Sequence, residues 1–234
     1  MSLYVIADLH LSFGSNKPMD IFGDNWQNHE EKIAQDWKKR VKEHDLVVIP
    51  GDFSWAMDLK DTFLDFEYLS NLPGKKLLLK GNHDYWWSTL NKMRNFLKDN
   101  NFSDIDFIQN NFYEFKNHII TGTHGWVIDD QEENKRLIKR EQLRLRLELE
   151  AIKEKYGDKK DIIVFMHYPP YLKENDNFIN PYIELFEDFN IKTVYYGHLH
   201  GNQAYENIKD FEINGTTYKL ISADYLDFKL QKVF

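Results

Sequence analysis

The chain has 234 residues, of which 42% are hydrophobic and 29% are charged. This composition excludes a disordered chain, which lacks the apolar surface needed to offset the entropy of ordering, and the length fits a single domain over residues 1–234. The absence of cysteine excludes disulfides and thiolate metal sites, and the net charge of -8 disfavours nonspecific binding to nucleic acid.

The N-terminal sequence predicts neither export nor membrane insertion. It has no basic leader and reaches Asp8 too soon to form the apolar segment of a secretory signal. Nowhere in the chain do about 18 consecutive apolar residues occur, the length that a membrane-spanning helix needs. We therefore expect a cytoplasmic protein that does not span a membrane.

Five short apolar runs predict β-strands, and each run ends at residues that can bind a metal ion. In chain order the runs and the residues that follow them are 3–7 before Asp8-Leu9-His10, 46–49 before Pro50-Gly51-Asp52, 77–79 before Gly81-Asn82-His83-Asp84, 162–166 before His167, and 193–196 before Gly197-His198-Leu199-His200. Nearly continuous apolar strands suit a sheet that is covered on both faces, and α/β sheets bind ligands beyond the carboxyl ends of their strands. The pattern therefore predicts an α/β protein with one site at these ends.

Helical periodicity fills the segments between the runs. It predicts crossover helices at 26–44, 62–72 and 89–100, and one long helix over 129–156. The long helix is either a lid or dimer element or a surface helix packed on the sheet, and we favour the surface helix because it carries an apolar stripe opposite many charged pairs.

Alternating patterns take over after His200. Asn214-Gly215 predicts a two-residue β-hairpin, since both positions of such a turn favour residues that tolerate positive φ. We expect a second hairpin at 224–227.

Seven side chains at the predicted strand ends can bind a metal ion: Asp8, His10, Asp52, Asn82, His167, His198 and His200. Residues i and i+2 of an extended strand point to the same side, so Asp8 with His10, and His198 with His200, predict two pairs that each grip one ion. A lone histidine after a strand is more often structural. Seven such side chains together would otherwise cluster several poorly satisfied polar groups, and the set therefore predicts a metal centre.

The blocks DLH, GD, GNHD, a single His and GHLH follow one another from Asp8 to His200, and in this order they resemble the signature of the calcineurin-like metallophosphoesterases. The resemblance implies a four-layer α/β/β/α fold of two packed mixed β-sheets flanked by helices, with a two-metal site at the strand C-termini. It also implies two ligand sets that share Asp52 as a bridge: Asp8, His10, Asp52 and His200 for one ion, and Asp52, Asn82, His167 and His198 for the other.

A binuclear centre suits the hydrolysis of a phosphomonoester or phosphodiester. Two divalent ions roughly 3.5 to 4 Å apart can hold a hydroxide between them as the nucleophile and neutralise the phosphoryl oxygens. With Asp8 and Asp52 they leave a local charge of about +2, so that an acidic chain can bind a small phosphate-ester substrate. The donor types suit Mn²⁺, Fe²⁺/³⁺, Zn²⁺ or Co²⁺ and do not select among them.

His83 and Asp84 are the predicted catalytic residues, beside the ligand Asn82. As in similar enzymes, we expect His83 to protonate the leaving oxygen or to stabilise the transition state. Asp84 is expected to orient the imidazole of His83 and to keep it protonated to higher pH. The alternative for Asp84 is that it only caps the following helix.

Three residues are candidates for substrate contact. Lys17 lies in a long loop after the first ligand pair, and such loops are often functional, although a solvated surface lysine is the alternative. His124 follows a predicted strand at 119–122 and could contact the phosphate, while Trp126 could stack on an aromatic leaving group. The loop and the GTHGW run also resemble an uncharacterised bacterial subgroup of these phosphohydrolases. The remaining histidines, His29, His44 and His118, show no informative spacing.

Two other functions stay open. One is a non-catalytic scaffold that keeps this fold and binds protein partners, since a fold does not fix a function. The other is a nuclease, which uses the same chemistry. A scaffold has no need of a proton donor at His83, and a nuclease favours a basic stripe or an aromatic platform that the sequence does not show. The sequence carries no signal for an oligomeric state.

Overall fold

The computed structural model describes residues 1–15, 17–174, 177–201, 205 and 211–234, and it divides the chain into two compact units. The first unit comprises Met1–Phe107 with Ile221–Phe234, and the second comprises Ile108–Leu220. The single domain expected over residues 1–234 stays a prediction. No helix in the described part of the chain is both long enough and apolar enough to cross a membrane.

The described residues form short strands and helices of ordinary length. The strands are β1 (Leu3–Val5), β2 (Leu46–Pro50), β3 (Lys75–Leu79), β4 (Ile105–Ile108), β5 (Tyr113–Phe115), β6 (His118–Thr123), β7 (Asp161–Met166), β8 (Leu172–Glu174), β9 (Asn177–Ile179), β10 (Thr193–Tyr196), β11 (Phe211–Ile213), β12 (Thr216–Leu220) and β13 (Gln231–Lys232). The α-helices are α1 (His29–Arg40), α2 (Phe63–Ser70), α3 (Leu90–Asp99), α4 (Glu132–Tyr156) and α5 (Ile183–Asp188), and 3₁₀ turns lie at Asp20–Phe22, Asp24–Trp26 and Leu59–Thr62.

The first unit is built on a five-stranded mixed sheet in the order β13-β1-β2-β3-β4. β1, β2 and β3 run parallel, and β13 pairs with β1 in the antiparallel direction. All five residues of β2 are buried, as expected for a strand covered on both faces. Side chains of three helices, including Trp37 of α1, Phe66 of α2 and Met93 of α3, join the same apolar core.

The second unit is built on a six-stranded mixed sheet in the order β11-β12-β10-β7-β6-β5. Its four central strands run parallel, and the outer strands β5 and β11 are antiparallel to their neighbours. The two large mixed sheets, with their helices, confirm the α/β class. The carboxyl ends of β6, β7 and β10 therefore lie at one edge of this sheet.

The predicted hairpin at Asn214-Gly215 is confirmed. Ile213 pairs with Thr216, and both turn residues have positive φ, 52° and 79°. The second predicted hairpin, at 224–227, is wrong. The chain there leaves β12 for β13, which pairs with β1 and not with β12. An alternating pattern with a turn signal does not reveal that the two strands belong to different sheets.

Helix α4 packs on β6 through a face that is mostly apolar but includes two glutamates. Its buried residues are Ile138, Glu141, Leu145, Glu148, Leu149 and Ile152. Thr121 of β6 is hydrogen-bonded to Glu148 at 2.5 Å, and Thr123 is hydrogen-bonded to Glu141 at 2.6 Å. The preferred interpretation of this segment as a helix packed on the sheet agrees with these contacts.

We expect Glu148 to make the stability of the protein depend on pH. Burial raises the pKa of its carboxyl from an ordinary 4.5 to about 8, and the nearby Glu141 also raises it. The folded protein therefore keeps this proton after the unfolded chain has lost it. The stability that protonated Glu148 contributes is complete below pH 4.5. It is lost as the pH rises to about 8, at up to about 1.4 kcal/mol per pH unit.

The measurement is the free energy of unfolding across this pH range for the parent and for Glu148→Gln. Glutamine keeps a neutral acceptor for the hydroxyl of Thr121, so the variant should be more stable than the parent above pH 8, by on the order of 3 kcal/mol. Glu150→Gln, at an exposed position of the same helix, is the control and should follow the parent. Identical pH profiles for all three proteins would contradict the assignment of this pH-dependent stability to Glu148.

Candidate metal centre

The turn after β1 holds Asp8 and His10 in left-handed backbone conformations. Their φ angles are 61° and 46°, and both side chains are buried. The amide of Asp8 donates to the carbonyl of Gly51 at 3.0 Å, and the amide of His10 donates to the carbonyl of Asp52 at 2.9 Å. Left-handed geometry is costly for residues other than glycine and persists where surrounding contacts impose it, often at functional sites.

This geometry corrects the sequence-based picture of two ligands that alternate along an extended strand. β1 ends at Val5, before Asp8 and His10. His198, after β10, is also left-handed, with a φ of 73°. The directions of these side chains are therefore set by tight turns and by their backbone hydrogen bonds, and not by the pleat of a strand.

Asp52 is the most constrained of the predicted ligands in the first unit. It is buried, and its backbone is left-handed, with a φ of 51°. Its Oδ1 accepts a hydrogen bond from the amide of His83 at 2.8 Å, and its Oδ2 lies 3.7 Å from Nε2 of His10. Its carboxylate is thus fixed from both sides by residues of two other predicted motifs.

Asp84 does not hold the ring of His83, contrary to the sequence expectation. Its buried carboxylate accepts four hydrogen bonds at 2.7 to 3.2 Å, from the amides of Phe53, Ser54 and Gly81 and from the indole nitrogen of Trp86. The alternative of a helix cap is also wrong, because Thr89 caps α3. Asp84 instead ties the loop after β2 to the loop after β3.

The carboxyl of Asp84 lies close to a second buried acid. Burial first, and then the negative charge of Asp52, raise the pKa of Asp84 to about 7, although the donated hydrogen bonds lower it. Two carboxyls that repel each other at such close range are stabilised when a cation binds between or beside them. The electrostatics of this loop pair therefore favour cation binding.

Trp55 is a residue of this site that the sequence analysis missed. Its indole stacks on the ring of His10, with centroids 4.9 Å apart, and its centroid lies 4.4 Å from that of His83. Nζ of Lys17 lies 4.3 Å from the centroid of the same indole. The structure thus places Lys17 beside the predicted site, and its role in substrate binding stays a prediction.

His29 shows no informative spacing in the sequence, but in the structure it supports the turn that carries two predicted ligands. Its ring is buried at the start of α1, and its Nε2 lies 3.0 Å from the carbonyl oxygen of Leu9, between Asp8 and His10. Its Nδ1 lies 3.1 Å from the carbonyl oxygen of Trp26. The ring thus links the start of α1 to this turn.

The second unit contributes imidazoles from the ends of three parallel strands. His167 follows β7 and is fully buried, and the centroids of its ring and that of His198 are 5.1 Å apart. His124 follows β6, and its ring lies 5.8 Å from that of His167 with the planes only 15° apart. Tyr168, another residue missed from sequence, has its ring 4.3 Å from that of His198 and 5.1 Å from that of His124.

Trp126 is held against the long helix. Its indole nitrogen donates to Oδ1 of Asn134 at 2.8 Å, and its ring lies 5.4 Å from that of His124. The predicted contacts of His124 and Trp126 with a substrate stay predictions, but both residues follow β6 at the sheet edge that also carries His167.

The first unit thus brings Asp8, His10 and Asp52 together on two adjacent loops. The second unit brings His167 and His198 together at the ends of neighbouring strands. The interpretation of His198 and His200 as a pair that grips one ion stays a prediction. The two ligand sets that the resemblance implies, with the ligand role of Asn82 and the bridging role of Asp52, also stay predictions.

A family model described as calcineurin-like phosphoesterase matches residues 1–202. The chain belongs to the calcineurin-like phosphoesterase family. The carboxylate and imidazole side chains that the two units supply are donors that suit divalent transition-metal ions, and this calcineurin-like phosphoesterase has no cysteine to add a sulfur ligand.

One curated relative and several solved structures resemble this calcineurin-like phosphoesterase. The gene 66 protein of Mycobacterium phage L5 is 34% identical over 80 residues, which are 33% of this chain and only 37% of that protein. The protein TT1561 of Thermus thermophilus has a TM-score of 0.60 at 15% identity, over 98% of this chain and 96% of that chain.

Two further structures share the fold. A protein of unknown function from Aquifex aeolicus has a TM-score of 0.52 at 20% identity, over 99% of this chain and 95% of that chain. The phosphopantetheinyl hydrolase of Mycobacterium tuberculosis has a TM-score of 0.54 at 12% identity, over 100% of this chain and 95% of that chain. At these identities the likeness shows the fold alone.

Proposed function

We propose that this protein hydrolyses a small phosphomonoester or phosphodiester at a binuclear centre, with His83 as the proton donor or transition-state stabiliser. The observation that carries the proposal is the position of His83. Its amide donates to Asp52 at 2.8 Å, and its ring lies 5.7 Å from the ring of His10. A half-buried imidazole is thus fixed beside the predicted ligands and is still reachable by a substrate.

The ligand sets that we propose are those that the resemblance implies: Asp8, His10, Asp52 and His200 for one ion, and Asp52, Asn82, His167 and His198 for the other. Two divalent ions bound there would lower the pKa of a water molecule and neutralise phosphoryl oxygens. The chain itself positions the donors through its left-handed turns, packs the ring of Trp55 against His83 and that of Tyr168 against His198, and supplies a proton from His83.

The direct test is an assay with an aryl phosphate and an aryl phosphodiester, with and without Mn²⁺. We expect metal-dependent release of the aryl alcohol from at least one of them. Fe²⁺, Zn²⁺ and Co²⁺ should be tried in parallel, because the donor set does not select among them. No turnover with any of these ions, in protein that binds two equivalents of metal, would favour the non-catalytic scaffold. A preference for single-stranded nucleic acid over both aryl esters would favour the nuclease.

Replacing His83 by alanine should lower turnover by about 10² or more while the metal content stays at the parental value. The reason is that His83 contacts Asp52 through its backbone amide, which the substitution retains, whereas the ring is lost. His44→Ala, at an exposed histidine outside the predicted site, is the matched control and should keep full turnover. Parental turnover in His83→Ala would show that its imidazole takes no part in catalysis.

A further inference from the structure

A groove in the second unit lies between the N-terminal half of α4 and the β8–β9 hairpin. Its volume is about 660 Å³, within the range of sites for small organic ligands. One wall is apolar and is formed by Ile138, Leu172, Ile179 and Pro181. Ile179 is 48% exposed although it is fully aliphatic, so this wall offers apolar surface to an occupant.

Two cations of α4 face the same groove without an ionic partner among the described residues. Arg136 and Lys139 line it and lie three positions apart, on one side of the helix. Other cations of this helix are paired: Lys135 with Glu132, and Arg144 with Glu141. Within the part of the chain that the structure describes, the groove therefore combines an aliphatic wall with two positive charges that have no ionic partner.

Three acidic residues line the other end of the groove: Asp129, Asp130 and Glu132. Asp129 accepts hydrogen bonds from the side-chain amide of Asn134 at 2.8 Å and from the amide of Gln131 at 2.9 Å, and Glu132 pairs with Lys135 at 3.0 Å. The positive charge that a ligand can meet is therefore confined to the part of the groove near Arg136 and Lys139, and this part suits an anionic group.

The groove is joined to the candidate metal centre by the segment that follows β6. His124 stacks beside His167, Trp126 is hydrogen-bonded to Asn134 of α4, and Ile128 already lines the groove. Four residues of extended chain span at most about 14 Å, so the groove begins within that distance of His124. A ligand held at His167 could reach it with a chain of this length.

We propose that this groove binds the leaving-group part of the substrate, and that this part carries an aliphatic chain ending in a second anionic group. The proposal rests on the proposed phosphohydrolase function, which it extends from the phosphate to the rest of the ester. The aliphatic part lies on the wall that contains Ile179, and the terminal anion pairs with Arg136 and Lys139. Both cations are exposed, and charge-assisted hydrogen bonds from the guanidinium of Arg136 favour such an anion over an uncharged end.

The test compares three phosphate monoesters: para-nitrophenyl phosphate, dodecyl phosphate, and the dodecyl ester that carries a terminal carboxylate. The double variant Arg136→Gln with Lys139→Gln should raise KM for the carboxylated ester about tenfold, with kcat unchanged, since loss of a charge-assisted contact costs about one such factor. Its KM for the other two esters should stay within about twofold. Ile179→Ser should weaken both dodecyl esters about fivefold and spare para-nitrophenyl phosphate.

The matched control removes two positive charges from the far end of the same helix, as Lys153→Gln with Lys155→Gln. It should leave KM for all three esters unchanged. If KM of the Arg136 and Lys139 variant rises equally for all three esters, the effect is one of overall charge and the proposal is overturned. The proposal is also overturned if the variant keeps the parental KM for the carboxylated ester.

A calorimetric arm separates this proposal from the proposed function. The carboxylated dodecyl phosphate is titrated into metal-free protein, where no hydrolysis is required, and the double variant should bind it about tenfold more weakly than the parent. If no ester is hydrolysed but this difference is present, the groove assignment stands and the proposed activity fails. If para-nitrophenyl phosphate is hydrolysed but the parent and the double variant bind the carboxylated ester equally, the groove assignment fails alone.

Discussion

Replacing Asp52 by asparagine should weaken metal binding and lower the rate of phosphate-ester hydrolysis by more than about 100-fold. Loss of a residue that only supports a ligand typically costs 10–100-fold, and a direct ligand should cost more. The amide side chain of the variant would keep an acceptor for the amide of His83, which now donates at 2.8 Å, so the loop should hold its shape. What is lost is the negative charge that two neighbouring cations need.

The same substitution should not destabilise the metal-free protein. Asp52 and Asp84 are both buried, and the charge of Asp52 raises the pKa of Asp84, which shows that the two carboxyls repel each other. Removing one of the charges relieves that repulsion. We therefore expect Asp52→Asn to melt at or above the parental temperature without metal, and to lose the rise in melting temperature that Mn²⁺ gives the parent.

Asp45→Asn is the matched control for this experiment. Asp45 is also a buried aspartate, and it accepts hydrogen bonds from the amides of Ser2 and Lys42 at 2.6 and 2.9 Å, before β2 and away from the predicted ligands. Its variant should lose stability and keep both its metal content and its response to Mn²⁺. A variant at Asp52 that still binds two equivalents of metal and still hydrolyses an aryl phosphate would exclude Asp52 as the bridge.

The strands next to the site were predictable because the residue types in the sequence mark where each strand ends. β10 is predicted at 193–196 and is found at Thr193–Tyr196, and β2 differs from its prediction by one residue. In both cases an apolar run stops at a glycine or proline followed by a polar motif, so the sequence marks the end of the strand. The order of the motifs along the chain then identifies the family.

Helix boundaries were less predictable. The pattern predicts a helix at 26–44, whereas α1 covers His29–Arg40. A 3₁₀ turn at Asp24–Trp26 and the left-handed Asn28, with a φ of 52°, precede the helix, and Val41 is extended after it. Apolar periodicity continues through these residues because their side chains are buried in the same core. Burial therefore extends beyond the hydrogen-bonded helix, and the pattern cannot separate the two.

The neighbours of the predicted ligands could not be found from spacing. Trp55 contacts His10 across 45 positions of the chain, and His29 reaches the carbonyl of Leu9 across 20 positions. Neither residue forms part of a metal-binding sequence pattern, and both are placed by the packing of separate loops. The one available signal was proximity in sequence, because Trp55 lies in the loop of Asp52 and Tyr168 follows His167 directly.

Gly81→Ala should be as damaging as the loss of a ligand, although it removes no functional group. A Cβ at position 81 would lie within 3.0 Å of both the backbone nitrogen and Oδ1 of Asp52. Gly81 lies outside the left-handed region, so alanine suits its backbone and the collision with Asp52 is the main cost. Overpacking of this kind costs about 1–3 kcal/mol, and we expect a loss of that size in the free energy of unfolding.

The added Cβ would collide with Oδ1 of Asp52, and the carboxylate of Asp52 is a proposed metal ligand. Asp52 can yield only by turning its carboxylate away from His10 and the amide of His83, so metal content and turnover should fall together, turnover by more than about 100-fold. Gly14→Ala is the matched control, because its Cβ would approach the carbonyl oxygen of Asp61 equally closely, away from the predicted ligands. It should cost similar stability and keep the metal. If Gly81→Ala instead retains two equivalents of metal and parental turnover, the close packing of Gly81 on Asp52 serves the fold and not the site.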